Sequence, residues 1–161
     1  MICSEIRVDT KQSNIWLALT GSQHLLCFNP FIATQLNGKV TGLGYQDQCT
    51  YENGKVLYRE AVDYVEGTKI KYKINYAEEK HNNFTCFEAI QQNGKTCFRL
   101  TIETDAYKNV PRPIWYFVAY FFLIPSYKKY LNAVVNGMKQ YCETKKKVAI
   151  NQYGKHRGFS A

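Results

Sequence analysis

A chain of 161 residues is long enough to form one domain with its own hydrophobic core. Hydrophobic residues make up 45% and charged residues 21%, a balance that excludes an intrinsically disordered chain. The net charge of +8 is compatible with nucleic acid or anionic lipid as a partner, but the lysines are scattered, which favours a basic soluble domain and does not favour nucleic-acid binding.

The first predicted elements are a strand and two short helices. Apolar and polar residues alternate in ICSEIRVD, which predicts a strand over residues 2–9. Helical spacing of apolar residues then predicts helices over 11–20 and 22–28, and Asn29-Pro30 ends the second one.

The middle of the chain is typical of an antiparallel meander. Alternation predicts six strands, at 31–36, 44–52, 55–65, 68–76, 83–92 and 95–105. Asn-Gly pairs beginning at residues 37, 53 and 93 predict hairpin turns, because both residues tolerate positive φ. In TKIKYKINY isoleucine and tyrosine alternate with lysine, so one face of this sheet should be covered and the other wet.

The last predicted element is a long amphipathic helix over residues 126–145, with an apolar stripe suited to lie across the sheet. The apolar run before it, Pro113 to Ile124, has twelve residues, whereas a membrane-spanning helix needs about 20. The run is therefore core, cavity wall or an interfacial patch. Pro125 predicts a kink or break between the run and the helix.

In this order the chain resembles the START-like helix-grip superfamily, the polyketide cyclase/dehydrase and lipid-transport group also called SRPBCC. The resemblance lies in the Asn14 to Leu19 helix with its tryptophan, in Leu25 to Pro30, in Gly42-Leu43-Gly44 and in the closing helix from Leu131 to Glu143. It covers about residues 2–146. It implies an α+β fold in which a curved antiparallel sheet of six to seven strands wraps around a long C-terminal helix, with two short helices after the first strand.

The resemblance also implies a cavity between sheet and helix, since members of this group bind lipids, sterols, polyketides or plant hormones, and some are cyclases. The predicted organisation is a single START-like domain over residues 1–147, followed by a flexible basic tail over residues 148–161.

The sequence contains none of the common cofactor or metal motifs. The six cysteines form no CxxC pair, and the three histidines have no zinc spacing. Phosphate-binding glycine loops and dinucleotide fingerprints are missing as well. We therefore expect no cofactor and no metal. The start of the chain does not resemble a signal peptide, which together with unpaired cysteines predicts a cytoplasmic protein with reduced thiols.

The strand over 55–65 carries a charge on each face. Glu60 shares one face with Val56 and Tyr58, whereas Arg59 shares the other with Leu57. If Glu60 lies in the cavity, burial would favour its neutral form and make it a proton donor or a ligand anchor. The alternative is that it faces water at a strand end or an edge, because carboxylates are rarely buried without a partner.

Aromatic residues supply most of the other site candidates. Tyrosine hydroxyls need partners when buried, which is easier around a hydrated cavity than in a dry core, although packed core remains the alternative. The predicted ligand-binding residues are Glu60, Tyr64, Tyr72, Tyr76, Phe98, Tyr116, Tyr120, Tyr127 and Tyr130. Trp115 to Ile124 would form a rim of the entrance, with Pro125 allowing it to move.

These features predict binding or transport of a small hydrophobic or aromatic molecule by a protein that is not an integral membrane protein. One alternative is a cofactor-independent enzyme of the cyclase or dehydratase type, using Glu60 or a tyrosine for proton transfer. Another is an interaction protein whose Lys69, Lys71 and Lys73, together with the basic tail, meet an acidic partner, nucleic acid or anionic lipid. The sequence leaves open the ligand, any catalytic activity, the oligomeric state and the strand face that lines the cavity.

Overall fold

An antiparallel sheet of seven strands forms the frame of the molecule in the computed structural model, which describes residues 1–36, 39–76, 83–105 and 116–161. The strands are β1 (Ile2–Arg7), β2 (Ile32–Leu36), β3 (Gln46–Tyr51), β4 (Val56–Val65), β5 (Lys69–Tyr76), β6 (Asn83–Gln92) and β7 (Lys95–Thr104). Their order across the sheet is β1-β7-β6-β5-β4-β3-β2, so among these seven strands β1 and β7 form the one neighbouring pair that is distant in sequence. The predicted meander is confirmed.

The hairpin turns follow the predicted Asn-Gly chemistry where the structure describes them. Between β6 and β7, Asn93 and Gly94 have φ values of 50° and 72°, which is the double positive φ of a tight hairpin. Between β3 and β4 only Gly54 is positive, at 83°. The predicted turn at residues 37 and 38 lies outside the described residues.

Within the described ranges, three helices cover the inner face of the sheet: α1 (Gln12–Thr20), α2 (Leu25–Phe28) and a long C-terminal helix, α3 (Ile124–Thr144). A helical turn at residues 116–118 and a π-helical turn at Ala119–Leu123 lead into α3 without interruption. The chain therefore does not break at Pro125. Proline has no N–H for the carbonyl four residues earlier, and the wider π turn directly before it accommodates that missing bond.

The core lies where α3 crosses the sheet and contacts α2. Leu131, Val134 and Met138 on α3 are fully buried, as are Phe28 and Phe98 beneath them. This architecture is the predicted α+β helix-grip fold: a curled half-barrel of antiparallel strands around a long C-terminal helix, with short helices near the N-terminus. None of the helices in the described ranges is long and apolar enough to cross a membrane.

The segment after α3, predicted to be a flexible basic tail, folds back along the end of the sheet. The backbone N–H of Val148 donates to the Cys27 carbonyl at 3.1 Å, and that of Asn151 donates to the Pro30 carbonyl at 2.8 Å. Near the C-terminus, the Asn53 side chain donates to the Gly158 carbonyl at 2.9 Å. These bonds bring the last residues against the sheet.

Candidate functional site

A cavity of about 340 Å³ lies between the sheet and the start of α3. Its wall is built from β2 to β7, α2, the first turns of α3 and the C-terminal segment. The lining residues are Leu25, Asn29, Ile32, Tyr51, Lys55, Leu57, Arg59, Ile74, Tyr76, Asn83, Thr85, Phe87, Ile102, Thr104, Tyr127, Tyr130 and Phe159.

The position of the cavity follows from a change along the strands, because inward side chains at one end are packed in the core and those at the other end line the cavity. On β7 the inward residues Phe98 and Leu100 are fully buried in the core, whereas Ile102 and Thr104, further along, line the cavity. Helix α2 fills the packed end, where the Phe28 ring lies 6.3 Å from the Phe98 ring. The half-barrel is thus solid at one end and hollow at the other.

Tyrosine hydroxyls and an aromatic ring close the hollow end. The Tyr130 hydroxyl accepts a bond from the Asn29 side chain at 3.1 Å and lies 3.4 Å from the Tyr51 hydroxyl. The Phe159 ring stacks 4.4 Å from the Tyr51 ring and lies 4.8 Å from the Tyr130 ring. Burial raises the pKa of Tyr51 well above its ordinary value, so its hydroxyl stays protonated.

A buried ion pair forms part of the cavity wall. The Arg59 guanidinium donates from Nε to Asp47 Oδ1 at 2.8 Å and from Nη2 to Asp47 Oδ2, and both side chains are almost completely buried. Burial would raise the pKa of the Asp47 carboxyl, but the Arg59 charge and hydrogen bonds from Arg59 and Gln35 hold that pKa below its usual value. The Arg59 guanidinium also lies 4.4 Å over the Tyr72 ring.

His24 completes this network as a neutral imidazole. Burial and the Arg59 charge lower its pKa from 6.5 to about 3. Its Nε2 lies 3.1 Å from Arg59 Nη2 and its Nδ1 lies 3.2 Å from the Gly21 carbonyl oxygen. The arrangement assigns the proton to Nδ1, since Nε2 must accept from the guanidinium. His24 is therefore a structural partner of Arg59.

Five of the predicted site residues lie inside the fold. Tyr76, Tyr127 and Tyr130 line the cavity. Tyr72 and Phe98 are fully buried outside the set of lining residues, and the Tyr72 ring lies 5.9 Å from the ring of Phe87, which lines the cavity.

The remaining four predicted residues do not line the cavity. Tyr64 packs against Trp16 of α1, with ring centroids 5.5 Å apart. Glu60 lies on the outer face of β4, where it borders a shallow depression. Tyr116 and Tyr120 are 68% and 71% exposed. Trp115, predicted at the entrance, lies outside the described residues.

Sequence reasoning missed the Arg59–Asp47 pair. The alternation of β4 showed only that each face carries a charge, and the inward one is Arg59. The missing fact was strand register, since Asp47 and Arg59 are directly opposite each other on β3 and β4. A register shift between Ala61 and Asp63 also reverses the alternation, which turns Tyr64 inward and keeps Glu60 outward.

The other chemistry-bearing side chains form no cluster in the described ranges. All six cysteines carry free thiols. Among the residues that the structure describes, no group of His, Cys, Asp and Glu is arranged to hold a metal ion.

Comparison with solved structures identifies the class of fold. DynU16, a protein of the dynemicin biosynthetic locus, superposes with a TM-score of 0.65 at 11% identity, over 91% of this chain and 48% of DynU16, so this chain spans about half of its length. Protein SSP2350 from Staphylococcus saprophyticus gives 0.62 at 12% identity, over 91% and 94% of the two chains. XoxI from Bacillus cereus gives 0.62 at 12% identity, over 90% and 98%.

These likenesses, with the curled sheet and its C-terminal helix, show a helix-grip fold. The resemblance to the START-like superfamily that the sequence predicts is confirmed at the level of the fold. No family model matches the chain, and no curated protein matches it in sequence.

Proposed function

We propose that the protein binds or carries a small hydrophobic or aromatic molecule in the cavity between the sheet and α3. The observation that supports this best is the hollow end of the half-barrel, whose volume of about 340 Å³ falls within the range of roughly 300–1,000 Å³ for small-molecule sites. A helix-grip fold alone would not carry the proposal, since one fold serves many functions.

The lining indicates what such a molecule should look like. Leu57, Ile74 and Ile102 offer apolar surface, and Asn83 and Thr85 offer hydrogen-bonding groups on the neighbouring strand. A site of this kind favours a ligand with an apolar body and one or two polar groups. The Arg59 guanidinium in the cavity wall is already paired with the Asp47 carboxylate. The pair is close to neutral overall, so the cavity fits a neutral ligand better than a charged one.

Protonation states favour binding over proton transfer. A general acid or base works best with a pKa near the working pH. Burial raises the pKa of Tyr51 and of Tyr130, which keeps both hydroxyls protonated at neutral pH. His24 is also uncharged at neutral pH, because its pKa is lowered and the imidazole stays unprotonated at one nitrogen. Tyr51 and Tyr130 are therefore suited to hydrogen-bond a ligand, and all three groups are poorly suited to exchange protons with it.

The experiment compares one probe on three proteins. N-phenylnaphthylamine is a neutral, apolar dye whose fluorescence rises in a dry environment, and we expect it to bind the wild type saturably. Ile102→Trp adds a large ring on the cavity side of β7 and should abolish that binding. Val62→Trp adds the same ring on β4 at a position that is 39% exposed, and should leave binding unchanged.

Circular dichroism of each variant establishes that it is folded before the comparison is made. Equal dye binding by all three proteins, or none by the wild type together with no compound released by organic extraction of the purified protein, would overturn the proposal.

A further inference from the structure

The helical turns before α3 expose a group of aromatic rings. We call residues 116–124 the aromatic turn. Tyr116, Phe117, Tyr120, Phe121 and Phe122 are each between 59% and 71% exposed. The rings of Phe117 and Phe121 pack on each other with centroids 4.9 Å apart, so they form one continuous apolar surface. Large apolar patches on a protein surface usually mark an interaction site.

The positive charge of the chain lies in the same third of the sequence as the aromatic turn. Residues 106–161 contain ten lysines and arginines and a single acid, Glu143. Residues 1–105 contain eleven basic and twelve acidic residues and are close to neutral. The net charge of +8 thus comes from the last third of the sequence. Such an asymmetry indicates a polyanionic partner for that part.

Exposed cations lie directly beside the aromatic turn. Lys128 and Lys129 follow it by one helical turn and are exposed. The C-terminal segment adds others, because His156 Nε2 lies 3.1 Å from the Ser126 hydroxyl and brings the exposed Lys155 and Arg157 to this end of α3. The apolar rings and these four positive charges therefore lie at the same end of α3.

We propose that the aromatic turn docks onto the surface of an anionic lipid bilayer. Aromatic rings with tyrosine hydroxyls suit the boundary between headgroups and acyl chains, and flanking lysines are attracted by anionic headgroups. The aromatic turn has nine residues, far fewer than the roughly 20 that span a bilayer, so it lies in the interface. Like charge disfavours the pairing of this face with a second copy of itself.

The docked surface would adjoin the hollow end of the fold, because Tyr127, three residues after the aromatic turn, lines the cavity. The docking proposal does not depend on the cavity holding a ligand. Its test therefore uses lipid vesicles alone, with no cavity ligand present.

The test is co-sedimentation of the protein with vesicles of phosphatidylcholine, with and without one third phosphatidylserine. The wild type should bind the mixed vesicles at least ten-fold more tightly than the neutral ones, and the difference should shrink in high salt. Lys128→Gln/Lys129→Gln should weaken binding to mixed vesicles by about 25-fold, at about five-fold per lysine. Lys95→Gln, which replaces the exposed lysine at the start of β7, should have little effect.

A second pair of variants tests the rings. Phe117→Gln/Phe121→Gln keeps the charges and helix-forming side chains and should reduce binding to mixed vesicles by at least ten-fold. Leu43→Gln, at a position that is 71% exposed and remote in sequence, is the matched control and should bind like the wild type.

Four results would overturn the proposal. They are failure of the wild type to bind either vesicle, equal binding by the ring variant, a dimer in solution that the ring variant abolishes, and preferential binding of single-stranded RNA over mixed vesicles at the same salt concentration.

Discussion

Replacing Asp47 with asparagine would remove the charge that neutralises Arg59 while hardly changing the shape of the side chain. Both groups are buried, with the guanidinium side chain 2% and the carboxylate 0% exposed. Asp47 also accepts a hydrogen bond from Gln35 at 2.7 Å. In Asp47→Asn one carboxylate oxygen becomes an NH₂ group, so at least one of these donors would face another donor.

The expected loss of unfolding free energy is about 3–5 kcal/mol, which is typical when one partner of a buried ion pair is removed. Coulomb's law gives a similar magnitude, since two unit charges about 4 Å apart attract by about 4 kcal/mol at an effective dielectric constant of about 20. A loss of this size is a large part of the total stability of a domain, which is about 5–15 kcal/mol.

Urea denaturation followed by circular dichroism measures the change. The matched control is Asp63→Asn, which breaks a pair with Lys69 of similar length, 2.6 Å, whose side chains are 43% and 34% exposed. That substitution should cost about 1 kcal/mol or less. If Asp47→Asn cost no more than Asp63→Asn, the Arg59–Asp47 pair would be solvated, and the cavity wall would not contain a buried ion pair.

The remaining predictions concern titration and packing. Because His24 has a folded pKa of about 3 against 6.5 unfolded, the unfolded state gains its proton first, and stability should fall by about 2 kcal/mol between pH 7 and pH 5. Urea titrations should show a shallower fall for His24→Gln, and an unchanged slope would contradict the assignment of a neutral imidazole. A Cβ on Gly137 would lie 2.0 Å from the Phe28 carbonyl oxygen, so Gly137→Ala should cost about 2 kcal/mol, whereas Asn136→Ala on the exposed side of α3 should cost much less. Similar losses for the two variants would mean that α3 and α2 are not in close contact. Phe159→Ala should cost about 2 kcal/mol, since it removes a half-buried ring stacked on Tyr51, and a loss below about 0.5 kcal/mol would favour the flexible tail that the sequence predicts.

Much of the fold could be predicted because one face of the sheet is covered. Alternation along TKIKYKINY predicts a strand over 68–76, and the structure has β5 at Lys69–Tyr76. The apolar stripe of α3 could be predicted equally well, since Leu131, Val134 and Met138 recur at helical spacing, and all three are buried. Local periodicity was therefore sufficient to predict most of the secondary structure.

The site was harder to predict because core and cavity use the same face of the same strands. Periodicity assigns Phe98 and Tyr76 equally to the inside, yet Phe98 lies in the packed end and Tyr76 lines the cavity. The register shift after Ala61 is a second obstacle, since it reverses the faces halfway along β4 and leaves no signal in the alternation.

A signal for the cavity does exist, in the change of residue type along paired strands. At the packed end of β6 and β7, Ala89 lies opposite Phe98, and both are fully buried. At the hollow end, Asn83 lies opposite Thr104 and Thr85 lies opposite Ile102. Inward amides and hydroxyls would lose free energy in a dry core without partners, and a cavity that admits water or the polar groups of a ligand accommodates them at a lower cost. The hollow end therefore coincides with the appearance of amide and hydroxyl side chains on the inner face of β6 and β7.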